Sequence, residues 1–195
     1  MKRGGGREAR KRHGWLAALV ALAMGPGGAV AGGPPVVPAE DDTDLMPGAT
    51  HVVDPEKTFR TEDVLTRVSR GEDAPGARRV GDVGFTGAAH WFHVEVQNPR
   101  EQAVDRVLLV QGAQVESLEL HVVPREGPAA RYRVGVSRPP AEWELPVRAG
   151  AWTLPVTLPP GASTQLLVRA ETRGNLSVRQ RKLSPEACAS RQRQS

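Results

Sequence analysis

The chain has one cysteine, Cys188, so an intramolecular disulfide is impossible. Tyrosine also occurs once, and aromatic residues make up 4% of the chain. With so few rings, each tryptophan marks a position of interest. No apolar run approaches the roughly 20 residues that a membrane-spanning helix needs. The longest, residues 15–24, has ten. G-x-S-x-G and phosphate-binding glycine loops are missing, and Ser163, Thr164 and Ser184 have no histidine at a telling spacing. Nothing here assembles a catalytic constellation, so the reading is of a non-enzyme without a cofactor.

What is present begins with an address. Lys2, Arg3, Arg7, Arg10, Lys11 and Arg12 form a basic head, followed by the apolar run and by Ala29-Val30-Ala31. These are the three parts of a secretory signal peptide, so residues 1–31 are read as a leader cleaved near Ala31. The alternative is an uncleaved N-terminal tether. The whole chain carries +4. The head, with Glu8, accounts for +5, so the remainder is near −1. The basic balance therefore belongs to the leader and gives no support to nucleic-acid binding. The expected location is outside the cytoplasmic membrane, in a bacterial periplasm.

Residues 32–49 carry Pro34, Pro35, Pro38 and Pro47 among acidic residues and read as a linker. Thr61-Glu62-Asp63 opens a short helix to about Ser69, with Thr61 as cap and the acids at its positive end. Residues 90–98, HWFHVEVQN, then alternate as a strand does. Phe92, Val94 and Val96 form an apolar row. Trp91, His93, Glu95 and Gln97 form a second row with an aromatic beside polar groups. Residues 104–110 are apolar on both faces, as in a central strand. Further alternating stretches cover residues 115–123, 131–136, 143–148, 152–158, 164–170 and 176–183, with turn residues between them. Pro139, Pro140, Pro146 and Pro155 place the Trp143–Trp152 region near a sheet edge. Eight or nine short strands at this spacing predict an all-β sandwich or barrel with one N-terminal helix.

The order of segments carries a resemblance. A short helix and a Gly-rich loop precede WFHVEVQNP, then VLLV, VESLELHVV, RPPAEWELPVRAGAWTLPVTLPPG and QLLVRAETRGNLSV. Over residues 50–187 this resembles the second type of extracellular sensor domain found in seven-transmembrane receptors with diverse intracellular signalling modules. The resemblance implies a jelly-roll β-sandwich akin to carbohydrate-binding modules and a carbohydrate or similar small molecule as ligand. It also implies a place ahead of seven membrane helices and a cytoplasmic output domain. Here residues 188–195, CASRQRQS, read instead as a basic, disordered tail. That departure suggests a free-standing version, or a truncated or split receptor. A structural module docking on an envelope protein or membrane receptor is the competing reading. The oligomeric state stays open.

Two groups are candidate ligand contacts. Trp91, His93, Glu95 and Gln97 offer an aromatic platform with orienting polar groups, unless the N-terminal helix or loop covers Trp91. Trp143, with Trp152 and with Arg131, Arg133 and Arg148 close in sequence, forms the second group, unless both rings fill the interior. His90 and His93 lie three apart on one strand and point to opposite faces, while His51 and His121 lack a second ligand nearby, so no metal site is expected. Arg173, Arg179, Arg181, Lys182, Arg191 and Arg193 read as a polyanion surface or as a solvated sheet edge.

Overall fold

A computed structural model describes residues 36–38, 42–72, 81–112, 115–148 and 150–193. The expected leader lies outside these residues. The strands are β1 (Val36–Pro38), β2 (Thr43–Asp44), β3 (Thr50–Asp54), β4 (Asp82–Phe85), β5 (Ala89–Gln97), β6 (Val104–Gln111) and β7 (Ser117–Pro124). They continue as β8 (Ala130–Val134), β9 (Val147–Arg148), β10 (Ala151–Leu158), β11 (Ser163–Glu171), β12 (Asn175–Ser177) and β13 (Arg179–Leu183). Helices α1 (Thr61–Ser69) and α2 (Pro185–Gln192) complete the set. The all-β expectation is met. One sheet runs β1-β5-β11-β7-β8, with β3 also on β5, and a second runs β2-β13-β6-β10-β9. A two-stranded ribbon pairs β12 with β4. The chain crosses between the large sheets after β1, β2, β5, β6, β8 and β10, and again from β11 to β13 by way of the ribbon strand β12, as in sandwiches whose strands alternate layers.

The alternation on β5 explains its central place. All nine of its residues pair with β11, and its other edge pairs with β3 and, in parallel, with β1. Phe92, Val94 and Val96 face Leu108 and Val110 of β6 and Leu154, Val156 and Leu158 of β10 across the main core. Asn98 ends β5 as a buried clamp. Its amide nitrogen donates to the carbonyls of Gln102, Leu158 and Pro159, at 2.9, 3.1 and 3.1 Å, and its oxygen accepts from the Arg100 N–H. One side chain thus ties together the ends of strands from both sheets.

The sandwich carries a helix on each outer face. Helix α1 begins at Thr61, but Thr61 does not cap it. The Asp63 carboxylate accepts from the Arg60 backbone N–H at 2.9 Å, while the Thr61 hydroxyl turns to His121 Nδ1 at 3.1 Å. Val64 and Val68 are buried against Val52, Trp91 and Leu167. On the other face, Cys188 of α2 packs on Val107, Leu109, Ala151 and Leu183. This accounts for the two apolar faces of β6: one meets the core and one meets α2.

Three expectations change. Residues 32–49 are not a linker throughout, because Leu45 and Met46 are buried in the core and β1 and β2 join the sheets. Two apolar anchors and backbone pairing outweigh the proline and acid content around them. Most of residues 188–195 belong to α2, capped by Ser184, whose hydroxyl accepts from the Ala187 N–H at 3.1 Å, and are not a loose tail. The stretch 176–183 divides into β12 and β13 in different sheets. Among its basic residues, Lys182 is 2% exposed and pairs with Leu108, so it is no part of a solvated edge.

Candidate functional site

The row Trp91, His93, Glu95, Gln97 does not face solvent as a unit. Trp91 and His93 are each 1% exposed, Glu95 is half-buried and Gln97 is exposed. Val64 and Val68 of α1, with Phe59 beside them, roof Trp91. The apolar stripe of α1 needs an apolar seat, and Trp91 and Leu167 supply it. His93 Nε2 meets Gln165 Oε1 on the neighbouring strand, and burial pushes its pKa down. Arg131 is not beside the tryptophan region. It pairs in register with His121, 4.0 Å from the Glu119 carboxylate, far along β8 from the turn that leads to Trp143. A hydrogen bond from His121 holds Glu119 below the usual carboxylate range.

Trp143 and Trp152 do come together. Their rings pack edge to face, with centroids 5.8 Å apart and planes at 78°. Trp152 belongs to the main core at 6% exposure, whereas Trp143 is half-buried at its rim. The turn after β8 sets Trp143. Gly135 has φ +127°, and a Cβ there would stand 2.4 Å from the Glu116 carbonyl oxygen, so only glycine lets the chain close on Glu116. The Gly135 carbonyl then accepts the Trp143 indole N–H at 2.9 Å, and the Arg138 carbonyl accepts it at 3.2 Å. Glu144 reinforces the turn: its carboxylate takes the Arg133 guanidinium at 2.8 Å and the Arg133 backbone N–H at 2.7 Å.

The two rings border an open cleft of about 370 Å³. Gln111 and Gly112 at the end of β6, Val136, Val147, Gly150 and Ala151 complete its lining among the described residues. The cleft lies near a sheet edge, as the proline argument put it, on the edge strand β9 and its neighbour β10. Arg148 is not among the lining residues. It pairs with Ala151 while Val147 pairs with Trp152, so the two neighbours point to opposite faces of the sheet. Val136 and Val147, which fall on the apolar rows of their alternating stretches, are 58% and 46% exposed. The positive φ of Gly135 ends β8 at Val134, which breaks the alternation before Val136. Sequence patterning had no signal for these two.

A second cavity of about 450 Å³ lies along α1, between Phe59, Asp63, Thr66, Arg67, Arg70 and Glu72. Its charges are mutually engaged, with Arg67 over the Phe59 ring at 4.4 Å and 2.8 Å from Glu72. His51 and His90 meet although distant in sequence, Nε2 to Nδ1 at 2.8 Å, and His90 Nε2 reaches the Thr86 hydroxyl at 2.7 Å. No group of three or more histidine, cysteine or carboxylate side chains among the described residues is placed to hold a metal ion. No helix among them is long and apolar enough to cross a membrane.

No curated protein matches this chain. Among solved structures it is similar to the enzymatically active domain of tailspike protein 4 from bacteriophage CBA120. The identity is 12%, the TM-score 0.31, and the match covers 69% of this chain and 17% of that one. A family model, 7TMR-DISM extracellular 2, matches residues 47–181, from the 3₁₀ turn before β3 to the middle of β13. The chain belongs to the 7TMR-DISM extracellular 2 family, the extracellular sensor modules of membrane receptors.

Proposed function

We propose that this protein is a non-catalytic, exported ligand-binding module that works in the bacterial periplasm beside a membrane receptor system. Its ligand is a carbohydrate or a similar small molecule, seated in the Trp143–Trp152 cleft. The observation that carries this reading is the cleft itself. It pairs an aromatic platform with exposed valines and sits at a sheet edge in a volume suited to a small ligand. Its walls are fixed before any ligand arrives, because the Trp143 ring is pinned by two carbonyls. Preorganisation of that kind spares the ordering cost of binding. The family supports a sensor role.

A thermal-shift screen against glycans, muropeptide fragments and small anions tests it. A ligand at 100 times its dissociation constant stabilises by about 2.7 kcal/mol. Trp143→Ala is expected to abolish that shift. A flat response across the panel overturns the proposal.

One observation favours a second reading, a module that docks on an envelope protein. Phe85 on the β4–β12 ribbon is 86% exposed, an unusual place for a large ring. A photo-crosslinker at position 85 captures a membrane protein from envelopes if this reading holds. It yields only unlinked monomer if it does not.

A further inference from the structure

We infer that the face of the second sheet that carries α2 docks on anionic phospholipid, with Arg148, Arg179 and Arg181 set to meet headgroup phosphates. The inference is independent of what fills the tryptophan cleft. Leu109 and Ala151 pack in the α2 cluster. Arg181 pairs with Leu109, Arg148 pairs with Ala151, and Arg179 stands two residues before Arg181. Paired residues share a face, as do neighbours two apart on one strand, so all three arginines lie on the α2 side. Arg179 pairs with Gln111, the residue after Val110, and Ala151 precedes Trp152, the partner of Val110. Arg179 and Arg148 therefore close the two ends of one row across β13, β6, β10 and β9, about 14 Å apart at the usual strand spacing. Arg191 and Arg193 at the end of α2 add charge to the same side.

The charges of the three sheet arginines are not spent within the fold. Elsewhere Arg67, Arg133 and Arg169 are taken up by Glu72, Glu144 and Glu171. Arg148, Arg179 and Arg181 enter no ion pair among the described residues. Asp44 stands opposite Arg181 on β2, yet its carboxylate accepts from the Met46 N–H at 3.0 Å. Arg148 and Arg179 are exposed, and Arg181 is half-buried with an Nε that has no acceptor. A guanidinium left without a counter-charge on a partly covered face invites one from outside.

The occupant follows from what surrounds the arginines. The acids of this side lie towards its other end. Asp42 accepts from the Ser184 N–H, Asp105 from the Thr157 hydroxyl, and Glu186 stands in the first turn of α2. The large exposed apolar residues among those described are Phe85 on the ribbon, Val136 in a turn and Val147, which faces away from Arg148. None of them is on the arginine face. A stable protein interface needs an apolar core, and this face supplies none. A phosphate layer asks only for spaced cations. Guanidiniums take phosphate oxygens in pairs, and basic residues near an anionic bilayer add their attractions.

The test is co-sedimentation of the full chain with vesicles of phosphatidylcholine, with and without about one-third phosphatidylglycerol. The parent is compared with the triple variant Arg148→Ala, Arg179→Ala, Arg181→Ala. A double variant, Arg148→Ala with Arg179→Ala, leaves the half-buried Arg181 in place in case its loss disturbs folding. The basic head at the N-terminus is common to all three chains, so it adds equally to each. The parent is expected to bind the phosphatidylglycerol vesicles and to release them as salt rises from about 0.05 to about 0.3 M. The triple variant is expected to bind about tenfold more weakly, and the double variant to fall between. A gadolinium-chelate lipid in the same vesicles should broaden the ¹⁵N resonances of β13 and α2 and spare those of β8. Equal binding by parent and variants overturns the inference, as does broadening confined to other faces or no binding at all. Tighter binding to soluble polyphosphate than to vesicles also overturns it, in favour of a soluble polyanion. Each of these outcomes leaves the proposed function of the cleft standing.

Discussion

His51 stacks nearly parallel on Phe92, with ring centroids 4.9 Å apart and planes at 9°, and shares a hydrogen bond with His90. Two histidines so placed tolerate neutrality far better than charge. Burial lowers the His51 pKa to about 4, with the neighbouring His90 adding to the effect, and burial lowers His90 in the same direction. Both values lie below those of the unfolded chain. The unfolded state therefore takes up protons first as pH falls. The contribution of His51 is complete above pH 6.5 and is lost as pH drops towards 4. Its full size is roughly 3 kcal/mol, from 1.36 kcal/mol per pKa unit. Urea midpoints between pH 7 and 4 should fall accordingly, and His51→Gln should flatten that dependence. An unchanged slope in the variant counts against this account. The pair was not legible in the sequence. Spacing arguments compare neighbours on one strand, and here β3 brings a residue 39 positions away onto β5.

At the scale of elements, α1 and α2 decide which sheet faces meet water. Helix α1 was legible from the acids that open it, Glu62 and Asp63. Its seat was open between solvent-facing and covered, because the alternation of β5 states that Trp91 and Phe92 face opposite ways and nothing about what lies beyond either face. With Trp91 buried under Val64 and Val68, Trp91→Ala should cost about 3–5 kcal/mol. Amide exchange should show α1 losing protection before β5 does. A variant with parental stability would mean that α1 holds without its seat. Helix α2 was misjudged because CASRQRQS has little apolar content. Cys188 alone among the described residues of that stretch is buried, and the prior turn from Ser184 fixes it over β6.

At the scale of the whole molecule, two sheets and two helices share their members so closely that no layer stands alone. β5 gives Phe92, Val94 and Val96 to the main core and Trp91 to the α1 cluster, while β6 gives Leu108 and Val110 to the core and Val107 and Leu109 to the α2 cluster. Loss of either strand strips two clusters at once. Unfolding of such a unit is expected to be a single transition. Tryptophan fluorescence, which reports Trp91 under α1 and Trp143 and Trp152 at the cleft, should follow the same urea curve as far-UV circular dichroism. Two separated curves would show that the α1 layer melts by itself.

The sequence by itself determined the β class, the position of α1, the two-faced character of β6 and the edge placement of the Trp143–Trp152 region. Each of these follows from local chemistry: period-two alternation, acids at a helix start, apolar residues on both faces, prolines without a donor. Tertiary structure decided which rows are covered, that Arg131 and Arg148 stay off the cleft, and that Val136 and Val147 line it. Those outcomes depend on segments far apart in sequence arriving at one place. They also depend on the positive φ of Gly135, which ends β8 before Val136.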